Sequence, residues 1–232
     1  MKITIIYNPN STGDSEANAR AAYEQLTTHD VTLVATDFAG HGEELAREIA
    51  EKNDEHMIIS SSGDGGYHEV INGILSAKNH DKIIAGLLPS GNANDHYNAI
   101  HDGDLVSRIN EKDIRSIDVL KLTAGNVERF AHSYIGFGLS PQIGEELNKT
   151  KLNRFNEIWI VLSQFLSTIP VRITYNKKKL RFASLTFSNI HRMAKVLTLS
   201  EDAKPDDGIF EVNAIPARSL FTAIGIFAKA AV

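Results

Sequence analysis

The sequence predicts an α/β protein: a parallel sheet covered on both faces by helices, followed by a second, β-rich lobe. Three observations carry that prediction. Short apolar runs at residues 3–7, 31–36, 57–60 and 83–88 alternate with helix-like stretches at 15–27, 42–51 and 67–76. Such alternation indicates βαβ units, whose crossover helices bury a parallel sheet from both sides. Three loops rich in Gly, Asn and Ser each follow an apolar run, at the strand ends where open α/β sheets hold their ligands. Beyond residue 125 the pattern changes to strand-like segments with hairpin-type connections.

Taken in order, residues 3–7 read as a buried first strand, since five residues are too few for the apolar core of a secretion signal. The strand–helix alternation then runs to 83–88, with 117–122 as a further strand candidate and the last of the parallel set. Gly125 and Asn126 follow it, which places a domain boundary there: 1–125 forms the α/β domain and 126–232 the β-rich lobe. In the second part Phe155, Ile158, Trp159, Leu162, Phe165, Leu166 and Ile169 recur at helical spacing before Pro170. That stripe suits a core-packing helix or a helix lying on a membrane surface. Strand-like segments follow at 171–175, 180–187, 195–199 and 210–215, with a turn at 176–178.

The 232 residues are 42% hydrophobic and 23% charged, an ordinary globular balance able to bury a sizeable core. With no cysteine, disulfides and thiolate metal sites are excluded, and a reducing, cytoplasmic location is expected. No apolar run approaches the roughly 20 residues that span a bilayer. A formal charge of −5 speaks against nucleic acid as partner. Two basic islands stand out against it: Lys149, Lys151 and Arg154, and then Lys177, Lys178, Lys179 and Arg181. They read as solvated turns or as a peripheral surface meeting anionic headgroups, where each cation contributes about 1 kcal/mol.

The loops carry the chemistry. Asn8-Pro9-Asn10-Ser11-Thr12-Gly13 leaves backbone N–H groups ahead of a helix, which suits phosphate, although many strand-to-helix turns look alike. In Ser62-Gly63-Asp64-Gly65-Gly66, followed by Tyr67, His68 and Glu69, three glycines let the backbone approach a polyphosphate. An acid in their midst would repel phosphate without a cation, so Asp64 reads as a magnesium ligand or a base. Glu69 falls at the expected start of the next helix, where a carboxylate also favours the dipole. In Ser90-Gly91-Asn92-Ala93-Asn94-Asp95, Asn92 and Asn94 offer amide donors to phosphate or ribose and Asp95 a second carboxylate. The same residues also suit a helix N-cap.

The ordered series NPNSTG, SGDGGYHEVINGI, LPSGNANDHYNAI, SIDVLKL and KPDDGIFEV resembles the diacylglycerol kinase catalytic domain family, from Lys2 to about Val212. Bacterial diacylglycerol kinases belong to it, with sphingosine and ceramide kinases more distant. The resemblance implies an NAD-kinase-like nucleotide-binding fold and transfer of phosphate from ATP, with magnesium, to a lipid hydroxyl at a membrane surface. It implies that ATP phosphates lie over Gly63–His68, with Asn8, Thr36 and Gly91–Asn92 nearby. Asp64 and Asp95 would face the nucleotide-bound magnesium, with Asp64 as the catalytic candidate. Asp207 would hold a structural magnesium with the carbonyls of Lys204 and Ile209. Read without the resemblance, Asp206-Asp207-Gly208 is a hairpin turn.

Ser62, Gly66 and Asn92 stand where the family commonly has Gly, Thr and Thr. Members of the family also continue past this point to an Asp-Gly-Glu segment proposed to carry the general base. This chain ends at Val232 inside an apolar run with Leu220, Phe221, Ile224 and Phe227. The expectation is a missing tail, with the run packed on the second lobe or against a second copy in a homodimer. A non-catalytic nucleotide-binding module and an NAD-kinase-like enzyme are the alternative readings.

Overall fold

The computed structural model describes residues 1–11, 13–52, 55–100, 103–138, 170–193 and 197–217. The chain divides into two compact units, Met1–His132 and Ser133–Val232.

The first unit has strands β1 (Lys2–Tyr7), β2 (Asp30–Ala35), β3 (His56–Ser62) and β4 (Ile83–Pro89) in the order β2-β1-β3-β4. Every pair is parallel. Helices α1 (Ser15–Gln25), α2 (His41–Lys52), α3 (Asp64–Ser76), α4 (Asp95–Ile100) and α5 (Leu105–Glu111) make the connections and cover the sheet. The predicted α/β class is therefore what the chain adopts. On one face Ile3, Ile5, Met57 and Ile59 pack with Ala19, Ala22 and Leu26 of α1 and Leu105, Val106 and Ile109 of α5. On the other, Ile6 and Ile58 meet Ala46 of α2 and Val70 and Ile74 of α3. β3 is buried at all seven positions, as a central parallel strand must be. Helices α2 and α3 approach closely because residue 73 is glycine: a Cβ there would stand 2.8 Å from the Ala46 Cβ.

Strand order reverses at β1. The chain steps from β1 to β2 on one side, and β3 and β4 add on the other, so the carboxyl ends of β1 and β3 flank a topological switch point.

The expectation that 117–122 closes the parallel set is corrected. β5 (Leu120–Ala124) pairs antiparallel with β6 (Val127–Ala131), as a separate hairpin turning at Gly125 and Asn126. Six of its ten strand positions face water, which an antiparallel ribbon tolerates and a buried parallel strand does not. Gly125, where the sequence reading places the domain boundary, is the turn of this hairpin, and the units divide after His132.

The second unit is antiparallel. β9 (Lys178–Ser188) is its spine, paired with β12 (Glu211–Pro216) on one side and with β7 (Tyr134–Gly138) and β8 (Val171–Tyr175) on the other. β10 (Arg192–Met193) and β11 (Leu197–Thr198) form a short ladder. The helix expected at 155–169 and the apolar run from Leu220 lie outside the described residues.

Candidate functional site

The three strand-end loops are fastened into one piece, and serine is the fastener. Ser61 donates its hydroxyl to the Ser15 carbonyl at 2.7 Å, while the Ser15 hydroxyl donates back to the Ser61 carbonyl. Ser90 N–H donates to the Ser62 carbonyl at 2.9 Å, and Gly13 N–H to the Ser90 carbonyl at 3.1 Å. Asn18 reaches the Ser90 hydroxyl at 2.8 Å. The loops after β3 and β4 also touch backbone to backbone: a Cβ on Gly63 would lie 2.9 Å from the Gly91 Cα. Ser60, Ser61 and Ser62 are all buried, so these hydroxyls need internal partners, and the loops supply them.

The cavity opens at the switch point. Its volume is about 270 Å³, and Asn8, Thr36, Ser62, Gly66 and Glu69 line it, five of the residues singled out from the sequence. Phe38 completes its β2 side and stacks on His41 with ring centres 4.6 Å apart. α3 begins at Asp64, earlier than the sequence suggested, so Asp64, Gly65 and Gly66 form its first turn and leave N–H groups unpaired within the helix.

Two carboxylates act in ways the sequence does not announce. Glu69 does not mark the start of α3. It sits in the second turn and reaches the start of α2, accepting from Gly40 N–H at 2.9 Å and Gly42 N–H at 3.1 Å. Asp64 accepts from Asp95 N–H at 3.1 Å and His96 N–H at 3.0 Å, so it caps α4 and ties the second loop to the third. Asp95 is buried beside it and Asn92 is exposed. Asn94 turns inward: at φ 52° it accepts from Gly91 N–H at 2.9 Å and donates to the Gly91 carbonyl at 3.0 Å, closing its own loop.

Behind Asp64 lies a buried aromatic cluster. Tyr67 faces His96 and His132 with ring centres 5.2 and 4.9 Å away, and the two histidines meet edge-on at 4.4 Å. Burial pushes the Tyr67 phenol well above its usual range. It also holds His132 down at about 4, against the opposing pull of Asp64, so this imidazole is neutral. Tyr67 thus belongs to the core, whereas His68, one residue on, is exposed.

Asp207 lies in the second unit, where its carboxylate accepts from Ile209 N–H at 3.0 Å beside Gly208 at φ 74°, the geometry of an Asx turn. Lys204 and Ile209 flank that turn. Among the described residues no group of three His, Asp or Glu side chains converges to hold a metal, and no helix is long and apolar enough to cross a membrane. Sequence reasoning missed Phe38, the serine lacing and His132. Only the lacing left a signal, in three consecutive serines ending an apolar strand.

An α/β unit with its cavity at the switch point of a parallel sheet defines the class. The diacylglycerol kinase catalytic domain family matches residues 2–122, more than half of the chain. The diacylglycerol kinase of Staphylococcus saprophyticus is 28% identical, over 93% of this chain and 73% of its own length. That of Staphylococcus haemolyticus is 26% identical, over 93% and 68%. A crystal structure of a diacylglycerol kinase from Bacillus anthracis superposes with a TM-score of 0.70 at 20% identity, covering 98% of this chain and 80% of that one, a likeness of fold. The chain belongs to the diacylglycerol kinase catalytic domain family and is a lipid kinase.

Proposed function

We propose that this chain transfers the γ-phosphate of ATP to the hydroxyl of diacylglycerol or a related lipid. The observation that carries the reading is the cavity at the β1–β3 switch point, where Asn8, Thr36, Ser62 and Gly66 converge beside the first turn of α3. Free N–H groups at a helix start, with amide and hydroxyl side chains around them, are what a polyphosphate requires.

The lipid oxygen attacks the γ-phosphorus, the bond from that phosphorus to the β,γ-bridging oxygen breaks, and the hydroxyl proton passes to a base. Such chemistry depends mainly on positioning and charge neutralisation. Asp64 supplies the carboxylate. Its two N–H partners fix its orientation, and each oxygen keeps a further lone pair for a proton or a cation. Magnesium fits this setting, held by Asp64 and the phosphates with Asp95 adjacent, and would neutralise charge on the transferred group.

The test is magnesium-dependent transfer of label from γ-labelled ATP to a panel of hydroxyl-bearing lipids in mixed micelles, resolved by chromatography. Label in no lipid, or label in NAD instead, would overturn the reading.

A further inference from the structure

We propose that the β8–β9 ribbon is a docking surface for bilayers carrying anionic phospholipid. Between residues 170 and 200 the chain has seven Lys and Arg and no Asp or Glu, although its formal charge is −5. The fold gathers five of these cations on one ribbon. Arg172 stands directly opposite Arg181, and Thr174 opposite Lys179, so these four side chains share a face, and all are exposed. The opposite face, with Val171, Ile173, Leu180 and Phe182, is half-buried. Among the described residues no ion pair reaches Arg172, Lys177, Lys178, Lys179 or Arg181.

Two features of the ribbon run against stability. Like charges directly opposed across an antiparallel pair repel, yet Arg172 faces Arg181. The turn is a two-residue one with φ of 47° at Asn176 and 63° at Lys177. Glycine is the usual second residue of such a turn, and here a lysine is held in left-handed backbone at the tip. The repulsion falls away when the ribbon meets a negatively charged surface, and the strained turn sets a cation at the tip that would meet it first. Tyr175, 65% exposed beside the turn, adds an aromatic ring of the kind that settles at headgroup level. From Leu180 to Lys178, β9 pairs with β8 alone among the described residues, which leaves the tip as a two-stranded projection.

The choice of a bilayer rests on the proposed lipid acceptor, whose hydroxyl lies at the membrane interface. The binding itself needs neither ATP nor turnover, so it is measured apart from the kinase reading. The full chain is sedimented with vesicles of phosphatidylcholine alone and of phosphatidylcholine with one-third phosphatidylglycerol. Binding is expected to the anionic vesicles only, weakening as salt rises.

Arg172→Gln, Lys179→Gln and Arg181→Gln together should weaken it about a hundredfold, about fivefold for each cation. Melting curves confirm that this triple variant is folded. Arg20→Gln, Lys52→Gln and Lys78→Gln remove the same charge from the first unit and should leave binding near wild type. Equal losses in the two triples, or wild-type binding by the ribbon triple, would overturn the proposal. So would ribbon-dependent binding of duplex DNA at physiological salt without vesicle binding.

Discussion

Asn72 and Phe130 pair as though they were neighbours in a sheet. The buried Asn72 amide accepts from Phe130 N–H at 3.0 Å and donates to the Phe130 carbonyl at 2.9 Å, so a side chain of α3 satisfies both backbone groups of a β6 residue. Nearby, Arg129 meets Glu43 of α2 at 2.6 Å. Together these contacts hold the β5–β6 hairpin onto the helical face of the first unit.

Replacing Asn72 by Ala strands both Phe130 groups, and the expected loss is about 2–3 kcal/mol of unfolding free energy. Urea titration reads it. Asn72→Asp should be nearly as damaging, because a carboxylate accepts the N–H but cannot donate to the carbonyl. Stability within about 0.5 kcal/mol of wild type for Asn72→Ala would show that the hairpin is held by its packing instead.

Glu69 predicts a kinetic signature. It orders the segment at Gly40–Gly42, on the cavity side opposite the glycine loop. Glu69→Ala should raise the KM for ATP roughly tenfold, about the value of one charge-assisted hydrogen bond, with kcat changed far less. A fall in kcat at constant KM would mean that Glu69 acts on the transferred group.

Asp64 requires two variants. Because its carboxylate caps α4, Asp64→Ala should cost about 1–2 kcal/mol of stability besides abolishing transfer. Asp64→Asn keeps one acceptor, so it should fold and bind ATP while its rate falls roughly a hundredfold or more. Thermal melts and initial rates separate the effects, and a wild-type rate in Asp64→Asn removes Asp64 from the chemistry.

His132 makes stability depend on pH. Its folded pKa, about 4, lies below the ordinary 6.5, so the unfolded chain takes up the proton first on acidification. The stabilisation is complete above the ordinary value and drains as pH falls towards 4, a loss of about 3 kcal/mol. Urea midpoints between pH 8 and pH 4 should show that slope, and His132→Gln should flatten it. An unchanged slope in the variant would assign the acid sensitivity to other groups.

The sheet and its loops were legible because strands, crossover helices and Gly-Ser-Asn turns write themselves locally. Asn8, Thr36, Ser62, Gly66 and Glu69 meet in one cavity since strand ends of a parallel sheet share an edge. Other features are not local. Glu69 finds its partner 27 residues upstream, at the start of another helix, and no spacing rule announces that. The direction of β5 is hidden in its apolar alternation and emerges only when Val127–Ala131 folds back on it. β7 escaped notice because Gly136 and Gly138 dilute its strand character. His132 reads as an ordinary residue until the hairpin carries it in against Tyr67.

The serine lacing divides the cavity into parts of unequal stiffness. The walls supplied by β1, β3 and their loops, laced from behind to the loop after β4, share hydrogen bonds and behave as a fixed anvil. The wall from Thr36 to Gly42 is more exposed, and Glu69 is its tether to α3. On the proposed reading, ATP entering this cavity would find its phosphate seat already assembled and spend ordering entropy mainly on the Thr36–Gly42 jaw. Discrimination between one nucleotide and another would then belong to that jaw, with Phe38 at its edge, and engineering such a preference should begin there and leave the glycine loops untouched.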